Sequence, residues 1–305
     1  MIEPSSNAPN PILYKAIVKG NLKSVQYWIN KGENIESKNS DGQTAFQYAV
    51  SVNRLPIVEF LLQKGAKIEE KDKKGHTPLN FAVARGFKQV VEILIKHEAN
   101  IDLEYLLLTA TKKGCIDIVK ILIAKGANLE EKDAHGGFTP PILATLLGES
   151  SILEILLQNG ANVEALDDSG GTVLHNAASL SDCSDKSVEM LIQMGAKIDA
   201  KNPNGYTPLH FAALQGWKNS VMEIFLKKGA NIEAENNFGE RAIHIAVNHG
   251  HYKTVEIVIK YGTNLDVKSK EQSPIHFALC HRNQDGFPLL EFVSKMNFNF
   301  RCKHD

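Results

Sequence analysis

The chain has 305 residues, 43% of them apolar, and a formal net charge of −1 with an isoelectric point near 6.8. This neutral balance offers no positive field for nucleic acid or an anionic membrane surface, and no apolar run reaches the roughly 18 residues that span a bilayer. The N-terminus MIEPSSNAPNP lacks the apolar segment of a signal peptide, and the four cysteines form no CxxC pair, so we expect reduced thiols in a cytosolic or nuclear protein.

Two phrases recur along the chain at intervals of about 33 residues, as between Gly42 and Gly75. The first phrase places a turn glycine before a capping residue and an apolar run. Its copies are SDGQTAFQYA (40–49), KKGHTPLNFA (73–82), SGGTVLHNAA (169–178) with Gly171 as its turn glycine, PNGYTPLHFAA (203–213), NFGERAIHIA (237–246) and SPIHFAL (273–279). The second phrase recurs from INKGENIESK (29–38) to IKYGTNLDVK (259–268).

Each copy predicts a turn followed by two short helices. The glycine tolerates the positive φ of a turn, and a threonine such as Thr77, Thr139, Thr172 or Thr207 offers an N-cap hydroxyl to the first helix. A proline at the first helical position lacks only an N–H that would be unpaired anyway. The second helix has apolar residues at helical spacing and ends at a C′ glycine such as Gly229.

This turn–helix–loop–helix unit, with TPLHFAA at 207–213 and the ending GANIEA, resembles the ankyrin repeat over roughly residues 11 to 300. The resemblance implies an all-α, curved solenoid of about nine stacked units with β-turn or hairpin tips. Because no unit can bury its own apolar face, stacking builds one continuous core. We expect an N-terminal extension at 1–10 and one ankyrin-repeat domain at 11–305. Its units are 11–38 (a cap), 39–71, 72–101, 102–132, 133–166, 167–201, 202–235, 236–268 and 269–305 (divergent or a cap).

Several units depart from the pattern. DLEYLLLTATKKG (102–114) replaces the turn, so we expect Asp102 to cap the helix directly and one tip to be lost, which leaves a notch in the row of tips. The next unit has an extra glycine at 136 or 137. Arg241 replaces the capping threonine, which should weaken that cap by about 1 kcal/mol. After the last unit, both a longer array and a C-terminal cap with Phe298 and Phe300 folded back remain open.

Histidine occupies the fourth position of the TPLH phrase in four units, at His175, His210, His244 and His276. A catalytic residue would not recur once per unit. We therefore expect each imidazole to bind neighbouring turn groups, in a structural role shared with the capping residues Thr77 and Thr207. Gln47 and Asn80 take the same position earlier, and their amides can donate and accept in the same way.

No other pattern predicts catalysis. His249 and His251 lack a third metal ligand, and Cys183 lies in a polar insertion with no orienting group. Phosphate-loop, HExxH, GxSxG and zinc-finger spacings are absent from the sequence. We expect no catalytic residue, no metal and no cofactor, and so no enzyme.

An acidic residue also recurs after each C′ glycine. The series is Glu36, Glu69, Asp102, Glu130, Glu164, Asp199, Glu233 and Asp266. Lysines two residues later, such as Lys38 and Lys201, should offset the repulsion. We expect a solvated, self-neutralising edge, each pair contributing well under about 1 kcal/mol.

The resemblance implies that a partner contacts the concave face and the turn tips. At these positions the early units offer Lys73, Lys74, His76, Arg85, Lys112 and Lys113. The middle and late units offer His135, Phe138, Leu146, Leu147, Leu180, Tyr206, Leu214 and Phe238. Exposed apolar side chains there indicate a protein interface. The alternative is that several of them, Leu146 and Leu147 above all, pack into neighbouring units.

The sequence thus favours a protein–protein interaction scaffold that is monomeric by itself and has a protein partner of unknown identity. Nucleic acid and membrane insertion are not expected. We expect a cytoplasmic protein, with the nucleus or a host cytosol left open. The alternative function is a targeting or substrate-recruiting module of a larger enzyme or secreted bacterial effector whose catalytic domain is outside this chain.

Overall fold

The computed structural model describes residues 10–99, 104–180, 185–216 and 219–264. His276, the unit at 269–305, residues 1–9 and the expected cap at Asp102 lie outside these ranges. Within them the chain forms sixteen α-helices and no strand beyond the isolated bridge between Leu166 and Thr172. The helices, in pairs, are α1 (Pro11–Lys19) and α2 (Leu22–Asn30), α3 (Ala45–Ser51) and α4 (Leu55–Gln63), α5 (Pro78–Arg85) and α6 (Lys88–Lys96), α7 (Glu104–Lys112) and α8 (Ile116–Ala124), α9 (Pro140–Leu146) and α10 (Ser150–Gln158), α11 (Val173–Ala178) and α12 (Asp185–Gln193), α13 (Pro208–Gln215) and α14 (Asn219–Lys227), and α15 (Ala242–Asn248) and α16 (Tyr252–Lys260).

The helix pairs stack in order within two units, an N-terminal unit that ends at Glu131 and a C-terminal unit that begins at Lys132. In the N-terminal unit, α1, α3, α5 and α7 contact one another in succession, and so do α2, α4, α6 and α8. In the C-terminal unit, the same holds for α9, α11, α13 and α15, and for α10, α12, α14 and α16. The described residues therefore contain eight helix pairs, and the expected all-α repeat fold is confirmed.

The core of each unit comes from the helical spacing of apolar residues. In α4, Ile57, Val58 and Leu61 are at most 1% exposed. In α13, Ala212 and Ala213 are buried where the neighbouring first helices α11 and α15 pack against α13. Full burial of a large aliphatic side chain stabilises the fold by about 1.5–3 kcal/mol. Stacking thus supplies the stability that one helix pair lacks.

The predicted threonine caps are present at Thr77 and Thr172. Thr77 Oγ1 accepts the N–H of Asn80 at 3.3 Å, and the Asn80 side chain accepts the N–H of Thr77 at 2.9 Å. The prediction was wrong at Thr139, whose buried hydroxyl makes no cap bond and has no partner among the described residues. The residue at the fourth position of this copy is Ile142, whose side chain has no hydrogen-bonding group.

Each turn, called a tip below, begins with an asparagine or aspartate whose side chain closes it. In the tip 202–206, Asn202 Oδ1 accepts the N–H of Asn204 at 3.1 Å and of Tyr206 at 3.0 Å. This is the Asx-turn arrangement. The same closure occurs in the tips 39–43, 72–76, 133–138, 167–171 and 236–240, from Asn39, Asp72, Asp133, Asp167 and Asn236.

The left-handed glycine lies before the last residue of each tip. In the tip 167–171 this residue is Gly170, with φ of 74°, and not Gly171 as the sequence suggested. In the tip 133–138, which has one extra residue, it is Gly137, with φ of 65°. Side-chain closure at the first residue and positive φ at the glycine together determine the backbone of a tip.

Candidate partner-binding surfaces

The fourth-position histidines connect successive repeats of the C-terminal unit. His210 Nδ1 accepts the N–H of Thr207 at 3.0 Å and lies 2.8 Å from the Thr207 hydroxyl. Because Nδ1 accepts a main-chain N–H, Nε2 carries the proton and donates to the Glu240 carbonyl at 3.0 Å. His175 has the same arrangement, with its Nε2 donating to the Tyr206 carbonyl at 2.9 Å. Each imidazole thus joins its own helix start to the tip of the next repeat.

Burial lowers the pKa of both these imidazoles. The loss of solvent around His175 and His210 is the largest effect on each pKa, and it outweighs the hydrogen bonds to the next tip, which act to raise it. Both side chains are therefore neutral near pH 7. A neutral ring with both nitrogens bonded to the main chain has no free group for acid–base chemistry.

Arg241 replaces the capping threonine in a way that the sequence did not indicate. Its side chain makes no cap bond, as expected, but its guanidinium binds the carboxylates of Glu233 and Glu235 and is largely buried. The Arg241 N–H still donates to His244 Nδ1 at 3.1 Å. The missing hydroxyl is therefore replaced by ion pairs to the preceding acidic segment.

The recurring acidic residues lie at a half-buried to exposed edge and also form hydrogen bonds between repeats, which the sequence did not predict. Four of them accept a main-chain N–H one repeat later: Glu36 from Lys67 at 2.9 Å, Glu164 from Lys197 at 2.7 Å, Asp199 from Asn231 at 2.9 Å, and Glu233 from Asn264 at 2.8 Å. The lysines also reach forward. Lys38 Nζ lies 2.8 Å from Glu70 Oε2, and this hydrogen bond lowers the pKa of Glu70.

Successive tips contact one another through their glycines. The Lys73 N–H donates to the Asp41 carbonyl at 3.3 Å, and Asn237 N–H donates to the Asn204 carbonyl at 3.0 Å. A Cβ at Gly42 would lie 2.7 Å from Lys73 Cγ, and one at Gly205 would lie 2.7 Å from the Asn237 nitrogen. These glycines are needed for this close approach as well as for positive φ.

All six basic residues predicted at partner-facing positions are exposed, but they do not form one cluster. Lys73, Lys74 and His76 line an open cavity of about 400 Å³ in the N-terminal unit. Asp41, Gln43, Asp72 and Phe81 complete its lining. The other three residues lie at helix ends outside this lining: Arg85 at the end of α5, and Lys112 and Lys113 at the end of α7.

Aromatic side chains from two successive repeats meet in the C-terminal unit. The Tyr206 ring lies 6.1 Å from Phe211 and 6.5 Å from Phe238, both at tilted angles. Phe238 is 47% exposed, whereas Tyr206 and Phe211 are half-buried. We call these three residues the aromatic patch. Aromatic rings in this edge-to-face arrangement attract one another and present their remaining surface to solvent.

The other predicted apolar residues are scattered. Leu147 is 50% exposed, while Leu146, Leu180 and Leu214 are half-buried. The Phe138 ring folds back over its own tip, since a Cβ at Gly136 would lie 2.6 Å from two of its ring atoms. His135, in the same tip, is exposed. None of these six residues belongs to the aromatic patch.

Sequence reasoning missed Phe81 and Phe211. Both are the fifth residue of the TPLH phrase, immediately after the structural histidine or amide. His76 lies 5.5 Å from Phe81, and Tyr206 lies 6.1 Å from Phe211, so the last residue of a tip packs beside this fifth residue. An aromatic side chain both at the last residue of a tip and at the fifth residue of the following TPLH phrase therefore indicates a pair of rings in contact.

No group of three or more potential metal ligands occurs among the described residues, and His249 and His251 stack on each other at 5.9 Å. The two rings also form hydrogen bonds with main-chain carbonyls, His249 with Ile245 and His251 with Leu214. No described helix has both the length and the apolar character that a bilayer crossing requires.

A family model described as ankyrin repeats in three copies matches the chain at residues 13–105, 106–202, 142–236, 174–269 and 209–299. The matches overlap because the same pattern recurs along the chain. No curated protein gives a significant match.

Proposed function

The chain belongs to the ankyrin repeat family, and from this premise we propose that it binds a protein partner through the aromatic patch of its C-terminal unit. Ankyrin repeats are generally protein–protein interaction modules and are typically non-catalytic. The proposal adds a specific surface to that general role. The partner presents an apolar segment to Tyr206, Phe211 and Phe238.

The observation that supports this proposal is the exposure of Phe238 beside two further aromatic rings. A phenylalanine that leaves 47% of its surface in water has an apolar area that a partner could cover. Aromatic residues are enriched among those that dominate binding energy at interfaces. The half-buried Tyr206 and Phe211 give the exposed ring a preformed base, which lowers the entropy cost of binding.

Polar groups border the patch. The Tyr206 hydroxyl lies 3.5 Å from Glu240 Oε2, and Asn236 donates to the same carboxylate oxygen at 2.9 Å. An apolar centre with a polar rim is the usual composition of a protein interface. The rim orients the partner, while the rings supply most of the affinity.

The test compares three immobilised proteins in affinity purification from cell lysate with quantitative mass spectrometry. They are the native chain, the double variant Tyr206→Ala/Phe238→Ala, and a control Tyr105→Ala, which removes an aromatic that is 62% exposed in the N-terminal unit. We expect a partner that the native chain and the control retain and the double variant loses. The thermal midpoint of each variant shows that its fold is intact.

Equal recovery of every captured protein by the double variant and the native chain would reject the aromatic patch. Loss of the same proteins in the Tyr105→Ala control would show that exposed aromatics bind them without specificity. A purified partner would then be titrated against each variant, with an expected loss of about 2 kcal/mol or more for the double variant.

A further inference from the structure

The cavity of the N-terminal unit lies between two successive tips with a well-defined backbone. Asn39 closes the tip 39–43, and Asp72 closes the tip 72–76. The Lys73 N–H binds the Asp41 carbonyl of the preceding tip, and Lys73 Cγ would lie 2.7 Å from a Cβ at Gly42. The two tips therefore hold their side chains at fixed spacing, independently of the aromatic patch.

The charge that remains available in this cavity is mainly positive. Asp72 Oδ1 accepts the N–H groups of Lys74 and His76 at 2.9 and 2.8 Å, and its Oδ2 lies 3.4 Å from His76 Nδ1. These bonds occupy the Asp72 carboxylate, which is 7% exposed. Lys73 and Lys74 are exposed, and neither ammonium group has an acceptor among the described residues.

Some other lysines of this unit are paired with acidic residues. Lys38 binds Glu70, and Lys88 lies 3.2 Å from Asp117. The sequence up to Glu131 contains 18 lysines and arginines against 15 aspartates and glutamates, a net charge of +3. From Lys132 onwards there are 16 against 20, a net charge of −4. The cavity thus lies in the half of the chain that attracts anions.

One wall of the cavity is apolar. The Phe81 side chain is half-buried, and the His76 ring meets it edge-on at 5.5 Å between ring centres. A ligand that contacts both this wall and the two lysines must carry an apolar group next to an anionic one. We infer that the cavity is a docking site for an acidic peptide segment, in which carboxylate side chains bind Lys73 and Lys74 and an apolar side chain contacts Phe81.

The carboxylate of Asp41 favours a peptide over a nucleic acid. Asp41 is exposed and lines the same cavity. A peptide backbone can donate N–H groups to it, whereas the phosphates of a nucleic acid present only acceptors and negative charge. Two lysines are also few for a phosphate backbone, whose binding grows with the number of neutralised phosphates.

The test is a fluorescence anisotropy titration with the full chain and a fluorescein-labelled peptide of sequence GSEELFEEGS. Three comparison probes are GSQQLFQQGS, which lacks the charge, GSEESSEEGS, which lacks the apolar pair, and a short oligothymidylate. The protein variants are Lys73→Glu/Lys74→Glu and the matched control Lys120→Glu/Lys125→Glu. The control reverses two exposed lysines of the same unit, Lys120 in the middle of α8 and Lys125 immediately after its end.

We expect the acidic peptide to bind the native chain and the control equally, and the Lys73→Glu/Lys74→Glu variant at least about fivefold more weakly. Both comparison peptides should bind more weakly than GSEELFEEGS. The tip backbone bonds come from main-chain N–H groups, so the thermal midpoint should stay unchanged.

Three results would overturn the inference. They are no detectable binding of the acidic peptide, equal weakening by the control variant, and tighter Lys73- and Lys74-dependent binding of the oligothymidylate, which would assign the cavity to nucleic acid. Because the aromatic patch is intact in every variant, failure here leaves the proposed function untouched, and the converse also holds.

Discussion

The imidazole of His210 donates from Nε2 to the carbonyl of Glu240, 3.0 Å away and thirty residues further along the chain. The side chain itself is fully buried, with no exposed surface. Since the other ring nitrogen accepts from Thr207, one residue determines both where α13 begins and where the next tip lies. The stability of the stack should therefore depend on this single side chain.

We expect His210→Ala to lower the free energy of unfolding by about 2 kcal/mol or more, because it removes two buried hydrogen bonds and leaves a cavity. His210→Gln should lose much less, since Gln47 at the same position of an earlier repeat accepts the Thr44 N–H and donates to the Glu70 carbonyl at 2.6 Å, with the His76 carbonyl of the next tip at 3.5 Å. Chemical denaturation of the two variants checks this order. If both variants lost the same free energy of unfolding, the hydrogen bonds of His210 would contribute nothing to stability.

Acid should destabilise the C-terminal unit. Burial lowers the folded-state pKa of His175 and His210 below the unfolded value of 6.5, so the unfolded chain binds more protons below that pH. The stability that the neutral His175 and His210 contribute is therefore fully present above pH 6.5, and it falls as the pH drops towards their folded-state pKa values. Asp72 and Asp167, whose pKa values lie below 3.8, stay ionised through this window.

The measurement is the thermal midpoint from about pH 8 to about pH 5.5 for the native chain and for the variant His175→Gln/His210→Gln. The native midpoint should fall over this range, and the variant's midpoint should fall less, because glutamine does not titrate. Parallel curves for the two proteins would assign the acid sensitivity to other groups.

Gly205→Ala should destabilise the protein more than Gly229→Ala. Both glycines have positive φ, 77° and 89°, so alanine is strained by about 1 kcal/mol or more at either position. At Gly205 the added Cβ would also lie 2.7 Å from the Asn237 main-chain nitrogen, whereas Gly229 has no described atom within 4 Å. Urea denaturation of both variants measures the difference. Equal losses would contradict a role for the contact between tips.

Thr139 and Thr207 should respond in opposite ways to valine. The Thr139 hydroxyl is buried with no partner among the described residues, so Thr139→Val removes an unpaired polar group and should leave stability equal or higher. Thr207→Val deletes the hydroxyl that lies 2.8 Å from His210 Nδ1 and should cost about 1 kcal/mol. A loss at Thr139 as large as at Thr207 would refute this contrast, which thermal melting can measure.

Glu164→Ala should lower stability by about 1 kcal/mol, because the carboxylate accepts the Lys197 N–H of the next repeat at 2.7 Å. Glu164→Gln retains an acceptor oxygen and should lose less. Comparison of their denaturation midpoints separates a hydrogen bond from a general charge effect. A glutamine variant as unstable as the alanine variant would favour the charge effect.

The fold could be predicted because the same sequence pattern recurs in each unit. Glycine, threonine, proline and the apolar run recur at a constant spacing, and each has a local physical reason. The turn glycine in SGGTVLHNAA was misassigned because two adjacent glycines are equivalent by propensity. Asp167 decides between them, since its side chain binds the N–H groups of Ser169 and Gly171 and leaves Gly170 at the bend. That asparagine or aspartate, three residues before the glycine, was visible in most copies.

The surfaces could be predicted only in part. The position in the repeat indicated Tyr206 and Phe238, but their proximity depends on how one repeat stacks on the next. The same holds for Glu233 and Arg241, which meet only once the chain has turned. Contacts between repeats require a spatial register that the periodicity of one sequence does not contain.

Closure of every tip by its first side chain and its glycine has an evolutionary consequence. The residues two and four places after the first donate main-chain N–H groups to that closure. Lys74, Tyr206 and Phe238 occupy such places, and their side chains make no hydrogen bond to the first residue of their tip. Mutation there can exchange one side chain for another without altering the loop. After gene duplication, selection can therefore change the ligand that a tip binds, while the first residue and the glycine of that tip continue to maintain its fold.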